Sequence, residues 1–157
     1  MIDDKIKYVS AGFFVVLAVL FLGNFLMGYW KPGPYSLLAT LNENKQLGGY
    51  PKEVPVNSSL VLYAYIENHE NKVELYEVKI YIVNTSVNVN STFYLHVKPY
   101  RKFYVLVGNG KNSTIPFKIS FERPGNYKIA ILLFAFNGTT FQYTDLYNQL
   151  YINSTVG

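Results

Sequence analysis

The chain has 157 residues, which is enough for one domain and a short additional segment. It contains no cysteine, so a disulfide framework, a zinc–thiolate site and an iron–sulfur cluster are excluded. The net charge of +4 is spread along the chain, and no run of Lys or Arg exceeds two residues, so nucleic acid is not an expected partner.

The first predicted element is a transmembrane helix. Tyr8–Trp30 contains no charged residue, and a helix of that length extends about 35 Å, enough to cross the apolar core of a bilayer. Tyr8 lies at one end of this stretch, and Tyr29 and Trp30 lie at the other, as membrane-interface aromatic residues do. A cleaved signal peptide is the alternative, but the apolar run is long for one and large residues surround its glycines.

The charges beside this stretch predict its orientation. Lys5 and Lys7 precede it and only Lys31 follows closely, which favours a cytoplasmic N-terminus. We therefore predict a single-pass protein of the cell membrane, in contact with membrane lipid, whose C-terminal domain is extracellular. The predicted segments are a cytoplasmic tail (1–7), a transmembrane helix (8–30), a Pro-containing linker (31–34) and an extracytoplasmic domain (35–157).

Asn24 is a polar residue inside the apolar stretch. One interpretation is a hydrogen bond to a partner helix. The other is that Asn24 lies within two turns of the outer interface and reaches water or a local carbonyl. The sequence leaves both open.

Asn-x-Ser/Thr triplets are in excess after the predicted helix. From the numbers of Asn, Ser and Thr in the chain, about 1.6 such triplets are expected by chance. The chain contains six. We predict N-linked glycans at several of them, which places the domain outside the cytoplasm. The predicted sites are Asn57, Asn84, Asn90, Asn112, Asn137 and Asn153.

Beyond residue 34 apolar and polar residues alternate with the period of a β-strand. Short runs separated by turn signals predict an all-β fold, an immunoglobulin-like β-sandwich of seven to nine strands. The predicted strands are Tyr35–Asn42, Leu60–Asn68, Leu75–Val83, Thr92–Lys98, Lys102–Val107, Ile115–Phe121, Tyr127–Phe136, Phe141–Thr144 and Tyr147–Ile152.

Three strands carry more specific predictions. Pro116 cannot donate a backbone hydrogen bond, so its strand is predicted to lie at an edge or to contain a bulge. Tyr127–Phe136 is apolar on both faces and is predicted to be central. Tyr127 itself follows a Pro-Gly-Asn turn, as does the corner tyrosine of immunoglobulin-like sandwiches. In the third strand, Glu77 and Lys79 are predicted to point away from the core.

Candidate metal ligands are few. His69 and His96 are predicted to be surface residues, and two isolated histidines do not make a zinc site. Four carboxylates would approach one another if strands 60–68 and 75–83 formed a hairpin, which suggests either a weak calcium site or a solvated hairpin end. They are Glu67, Glu70, Glu74 and Glu77.

No catalytic constellation of nucleophile, base and orienting group is recognisable, and no nucleotide-binding fingerprint occurs. We therefore predict that the protein is not an enzyme and has no cofactor. An aromatic carbohydrate platform is one possible site, although most aromatic residues of such a domain serve packing. Its candidate residues are Tyr63, Tyr65, Tyr81, Tyr94 and Tyr104.

Three groups of turn residues resemble a known pattern. They are Tyr50-Pro51 with Val54-x-Val56-Asn57-x-Ser59, then Ile66-Glu67-Asn68-His69-Glu70, then Arg123-Pro124-Gly125 before a strand that ends Leu132-Leu133-Phe134. Over about residues 50–152 the chain resembles the C-terminal extracytoplasmic, immunoglobulin-like region of an archaeal membrane-protein family of unknown function. The resemblance implies an archaeal source, a sandwich fold and an outer-surface location. That family typically has several transmembrane helices before this region, and it has no assigned activity that would transfer functional residues.

Three functions remain open at this stage. The first is a glycosylated interaction or structural protein, an accessory subunit that contacts other membrane or envelope proteins. The second is a pilin-like filament subunit or stator component, although Lys7 is followed directly by Tyr8-Val9-Ser10, so the basic residue plus glycine of a pilin processing site does not occur there. The third is a cell-surface module that binds a glycan or a small solute in a concave aromatic site.

Overall fold

A computed structural model shows two compact units, Met1–Gly33 and Pro34–Gly157. The structure describes residues 2–29, 33–90 and 92–156. The first unit consists of one helix, α1, over Ile2–Tyr29. The large apolar side chains described between Phe13 and Met27 are exposed.

Over the residues described with their side chains, no helix is long and apolar enough to cross a membrane. Trp30 and residues 31–32 of the predicted linker lie outside the described residues, and so do the side chains of Tyr8 and Tyr29. Asn24 is described, and its side-chain amide donates to the carbonyl of Leu20 at 2.9 Å, one turn back in the same helix.

The second unit is an all-β sandwich of eight strands, which confirms the predicted fold class. The strands are β1 (Tyr35–Leu41), β2 (Glu53–Pro55), β3 (Ser59–His69), β4 (Glu74–Asn84), β5 (Arg101–Val107), β6 (Lys111–Ser120), β7 (Gly125–Phe136) and β8 (Phe141–Thr155). One sheet has three strands in the order β1-β3-β6, and the other has five in the order β2-β8-β7-β4-β5. All pairs are antiparallel except β2 with β8.

The main core lies between the two sheets. Alternate residues of β3 point inward and are buried, and they meet inward residues of β4, β7 and β8. Burial of these apolar side chains makes the main favourable contribution to the stability of the folded sandwich. The fully buried residues of this core include Leu62, Ile66, Ile80, Ile129, Ile131 and Leu133.

Several strand predictions are confirmed in position. β7 lies between β8 and β4, so it is central as predicted. β6 is an edge strand, and Pro116 on it pairs with Tyr63 of β3. Tyr127 donates its hydroxyl to the carbonyl of Arg123 at 3.0 Å, and its ring stacks on Phe121 at 4.7 Å. This is the predicted tyrosine corner.

The corner hydrogen bond gives a direct stability prediction. Tyr127→Phe removes only the hydroxyl and leaves the ring stacked, so we expect the free energy of unfolding to fall by about 1 kcal/mol. Tyr147→Phe is the control, because Tyr147 is exposed on β8 and its hydroxyl has no protein partner among the described residues. Denaturant unfolding of both variants in the same detergent measures the difference. Equal stabilities would contradict a structural role for the corner.

Three predicted strands differ from the structure. The segment predicted as strand Thr92–Lys98 contains a single 3₁₀ turn over Phe93–Leu95 instead. The two strands predicted over 141–144 and 147–152 form one strand, β8, with a bulge where Asp145 has a φ of 62°. A bulge of this kind changes register without ending the strand.

The described part of the segment between β4 and β5, residues 85–90 and 92–100, packs on the outer face of the five-stranded sheet. We call it the cover segment. It forms a second buried cluster with outward residues of β4 and β7. Phe93 meets Tyr81 at 5.0 Å between ring centroids, and Tyr94 meets Phe134 at the same distance. The outer face of the five-stranded sheet is therefore covered over β4 and β7, which explains why β7 is apolar on both faces from Ile129 to Phe136.

Candidate interaction surface

The outer face of the three-stranded sheet has no such cover. Neither buried cluster includes any of its described residues. We call it the open face. It consists of Tyr35, Leu37, Ala39 and Leu41 of β1, Val61, Tyr63, Tyr65, Glu67 and His69 of β3, and Asn112, Thr114, Pro116 and Lys118 of β6.

The centre of the open face is apolar and aromatic. Strand register places Leu41, Tyr63 and Pro116 in one row. Tyr35 is 41% exposed and Leu37 is 38% exposed, both on the edge strand β1. The solvent-facing side of an antiparallel sheet ordinarily carries polar residues, so this composition points to a surface with a partner. Tyrosine is also among the residues that contribute most in protein interfaces.

The rim of the open face is polar and carries two lysines, in addition to Glu67 and His69 at one end. Lys118 lies on β6, and the ammonium group of Lys45 lies 5.4 Å from the centroid of the Tyr63 ring. Cations placed around an apolar centre favour a partner whose own rim is acidic. They also lower the affinity for a second cationic surface of the same kind.

One end of the open face carries a hydrogen-bonded group around Glu67. The Glu67 carboxylate accepts a hydrogen bond from the Tyr65 hydroxyl at 3.0 Å and contacts the His69 ring nitrogen. The His69 ring stacks on Tyr35 with centroids 4.7 Å apart. The hydrogen bond from His69, followed by that from Tyr65, lowers the pKa of Glu67 below its ordinary value.

This lowered pKa predicts a pH-dependent contribution to stability. A carboxyl group whose pKa is lower in the folded than in the unfolded state stabilises the fold above its unfolded-state pKa, and the effect is lost as pH falls through the folded-state value. Glu67→Gln is therefore expected to lower Tm near neutral pH, and the difference should disappear in acid below the ordinary value of 4.5. Tyr65→Phe should show a smaller difference with the same pH dependence, and a difference that stays constant with pH would contradict this cause.

The predicted glycosylation residues are distributed unevenly over the sandwich. Four belong to the five-stranded sheet and its connections, namely Asn84, Asn90, Asn137 and Asn153. Asn57 precedes β3 and is exposed, and Asn112 lies on β6, the edge of the open face away from β1. No residue of β1 belongs to such a triplet, and the Asn57 triplet reaches only Ser59, the first residue of β3.

Two of these triplets share a local geometry. The side-chain carbonyl of Asn84 accepts from the Ser86 hydroxyl at 2.9 Å, and that of Asn90 accepts from the Thr92 hydroxyl at 3.1 Å. Both asparagines are exposed. Their amide nitrogens, the atoms that carry a glycan, have no protein partner within the described part of the chain.

The four carboxylates that suggested a calcium site do not converge. The premise of a hairpin is wrong, because β3 and β4 belong to different sheets. Glu70 accepts from the Ser36 hydroxyl at 2.8 Å, and Glu74 pairs with Lys72. Glu77 points to the covered side of the five-stranded sheet. Among the described residues, no group of three His, Asp or Glu side chains could hold a metal ion.

The environment of Glu77 differs from the expectation for an outward-pointing residue. It points away from the main core, as predicted for both Glu77 and Lys79, but it is only 4% exposed. Lys79 lies 3.2 Å from its carboxylate, and Lys102 of β5 lies 3.9 Å away. A carboxylate covered in this way requires a paired cation, which these lysines supply.

The five tyrosines proposed as a carbohydrate platform do not share a surface. Tyr63 and Tyr65 belong to the open face, whereas Tyr104 lies on β5 of the other sheet. Tyr81 is buried under the cover segment, where desolvation by burial raises the pKa of its hydroxyl to about 12. His69 is partly buried on the open face, and His96 is exposed after the 3₁₀ turn.

The open face was not predicted from the sequence. Its signal was present in β3, where both the inward and the outward positions from Leu60 to Ile66 are apolar. Such a strand is either covered on both faces or has one apolar face free for a partner. Only the sheet order distinguishes these cases.

A family model for a domain of unknown function, DUF1616, matches residues 33–153. No curated protein matches the chain. Similar solved structures include the CARDB domain of the PF1109 protein from Pyrococcus furiosus. Its crystal structure, in complex with di-metal ions, has 13% identity and a TM-score of 0.52, and the match covers 78% of this chain and 90% of that one. Its solution structure gives 13% identity, a TM-score of 0.54, and coverage of 81% and 100%.

A β-glucosidase from Listeria innocua in complex with glucose also matches, with 14% identity and a TM-score of 0.51. The match covers 81% of this chain but only 17% of the enzyme. At such identities the likeness to these structures shows the fold alone, an immunoglobulin-like sandwich.

Proposed function

The chain belongs to the DUF1616 family, a domain of unknown function, and from this premise we propose that it is a non-enzymatic interaction protein whose open face binds another protein subunit. In this proposal the N-terminal segment anchors the chain in a cell membrane with the N-terminus inside. The sandwich lies outside the cytoplasm, carries N-linked glycans, and serves as an accessory subunit of an archaeal envelope or membrane complex.

The open face is the observation that carries this proposal. It combines an apolar, tyrosine-containing centre with a polar rim that carries Lys45 and Lys118, and the described residues of the sandwich leave it uncovered. The expected partner surface is apolar with an acidic rim. Because Asn112 lies on β6, a glycan there would shield that edge, so the contact is expected to centre on β1 and β3.

Two features support the membrane anchor. Tyr8–Trp30 contains no charged residue, and the helix α1 continues without a break over 28 residues. Its described apolar side chains are exposed on successive positions such as Phe13, Phe14, Val15 and Val16, as expected for a helix surrounded by lipid or by other helices. The hydrogen bond from Asn24 to Leu20 satisfies one donor of that amide within the helix.

The experiment uses native membranes and the full-length chain with a C-terminal tag, which is accessible because Val156 is 79% exposed. Membranes are washed with alkaline carbonate, extracted in mild detergent, and the captured complex is weighed by intact mass spectrometry. The proposal expects a carbonate-resistant chain of full length, with added glycan mass and at least one stoichiometric protein partner.

Other results would overturn it. Release by carbonate or a shortened N-terminus would contradict the anchor and favour a secreted or filament-forming module. A carbonate-resistant but solitary chain would contradict the accessory-subunit role while leaving the anchor in place.

A further inference from the structure

An open surface cavity of about 360 Å³ lies at the outer side of the five-stranded sheet, near the end of β8. Parts of β7, β8 and the segments beside β2 and β4 meet there. Its lining residues are Lys52, Thr85, Asn126, Tyr151, Ile152 and Asn153. None of them belongs to the open face, so the cavity is a separate site.

Tyr151 forms an aromatic wall of this cavity. Tyr151 is 59% exposed, and its hydroxyl donates a hydrogen bond to the side-chain carbonyl of Gln149 at 3.3 Å. The ammonium group of Lys128 lies 5.4 Å from the ring centroid. Lys128 is buried and fixed by donating to the carbonyl of Val87 in the cover segment at 2.6 Å. The ring is therefore oriented by its neighbours while much of its surface stays accessible.

Apart from the buried Ile152, the other lining residues are polar. Asn126 of β7 and Asn153 of β8 are direct cross-strand neighbours. Within the described part of the chain, their side-chain amides make no hydrogen bond to protein, and neither does the Thr85 hydroxyl or the Lys52 ammonium group. The cavity thus presents amide donors and acceptors, one hydroxyl and one cation beside an aromatic ring.

This combination selects among ligand classes. A purely apolar ligand would leave the amides unpaired, which is unfavourable. A divalent cation would find no carboxylate among the lining residues, although oxygen ligands of that kind are what it prefers. A pyranose sugar offers an apolar C–H face to stack on a tyrosine ring and hydroxyl groups at its edge for amides and an ammonium group. We propose that this cavity binds a sugar unit of a glycan, with Tyr151 as the stacking residue.

The sugar could come from two sources. Asn153 begins the triplet Asn153-Ser154-Thr155, so a glycan attached there would start at the cavity itself. Otherwise the sugar belongs to a glycan of the envelope. The proposal depends on neither the membrane anchor nor the open face, and only the first source uses the proposed glycosylation.

Direct binding is tested with the unglycosylated full-length chain, produced in a host without N-glycosylation and held in a detergent that has no sugar headgroup. The probes are methyl α-glucoside, methyl α-mannoside, N-acetylglucosamine and methyl glucuronide, observed by saturation-transfer NMR. At least one probe is expected to bind. Tyr151→Ala should weaken that binding by at least about tenfold. Tyr147→Ala, which alters another exposed tyrosine of β8 that does not line the cavity, should leave it unchanged.

Two results would overturn the proposal. One is the absence of binding for all four probes at concentrations up to about 50 mM. The other is equal binding by wild type and Tyr151→Ala, with circular dichroism showing that both variants are folded.

The source of the sugar is identified by comparing two glycosylated proteins from native membranes, the wild type and the variant Thr155→Val. This substitution removes the triplet but keeps Asn153 and the β-branched shape at position 155. If the glycan on Asn153 fills the cavity, the probe that binds the unglycosylated chain should bind Thr155→Val but not the glycosylated wild type. If an envelope glycan is the ligand, both should bind the probe equally. Each outcome supports the cavity as a sugar site and identifies where the sugar comes from.

Discussion

Phe134→Ala is expected to lower the free energy of unfolding by about 3–5 kcal/mol. Phe134 is 1% exposed, although it points to the outer side of the five-stranded sheet. Its ring lies 5.0 Å from Tyr94 of the cover segment and 5.4 Å from Tyr143 of β8, and the Lys79 ammonium group lies 4.0 Å from its centroid. Truncation to alanine leaves a cavity that these neighbours cannot fill without moving the cover segment.

Leu106→Ala is the matched control for this experiment. Leu106 lies on β5 of the same sheet but is 67% exposed, so its truncation should change stability by no more than about 0.5 kcal/mol. Denaturant unfolding gives the free energies, and limited proteolysis within residues 85–100 reports release of the cover segment. A loss of less than about 1 kcal/mol for Phe134→Ala would contradict packing of the cover segment on this face.

Leu37→Lys is expected to reduce capture of the proposed partner subunit by at least about tenfold without unfolding the sandwich. Leu37 lies on the open face, on the β1 side that has no glycosylation triplet. A lysine there brings a charge into an apolar contact, where its desolvation is unfavourable. Lysine is preferred to aspartate because the cross-strand neighbour is Glu67, and a second carboxylate opposite it would itself destabilise the sheet.

The control for this variant is Leu106→Lys, which adds the same charge at an exposed leucine of the other sheet. Both variants should keep the Tm of the wild type within a few degrees. Quantitative mass spectrometry of tagged complexes from native membranes compares the captured partner with the captured bait. Equal loss in both variants would indicate a nonspecific charge effect, and no loss in Leu37→Lys would exclude the β1 side of the open face as the contact.

Most strands of the sandwich could be predicted because each one alternates or is apolar over its own length. Their own residues were enough to predict the strands Tyr35–Asn42, Leu60–Asn68 and Tyr127–Phe136, which correspond to β1, β3 and β7. β2 was missed because it has only three residues, one of which is Pro55, and its pairing is parallel to the distant end of β8. Pairing of that kind leaves no local periodicity.

The error over Thr92–Lys98 has a different cause. Phe93, Leu95 and Val97 alternate as in a strand, but Phe93 packs on Tyr81 from above the sheet. A segment that covers a sheet can show the same alternation of apolar and polar residues as a strand, because in both cases one side of the segment is buried. The separation predicted between strands 141–144 and 147–152 has another cause, because Asp145 adopts a positive φ within a bulge and the strand continues through it.

The sequence by itself determined the class of fold, the central place of β7, the edge place of Pro116 and the corner of Tyr127, since each follows from local pattern, backbone chemistry or one short turn. Only the tertiary structure decided that β3 and β4 lie in different sheets, which separates the carboxylates around Glu67 and Glu74. It also decided that the outer face of the five-stranded sheet is covered over β4 and β7, while the outer face of the three-stranded sheet is open. The reason is physical: a strand has two faces, and its sequence states that a face is apolar but not which segment of the chain, or of another molecule, buries it.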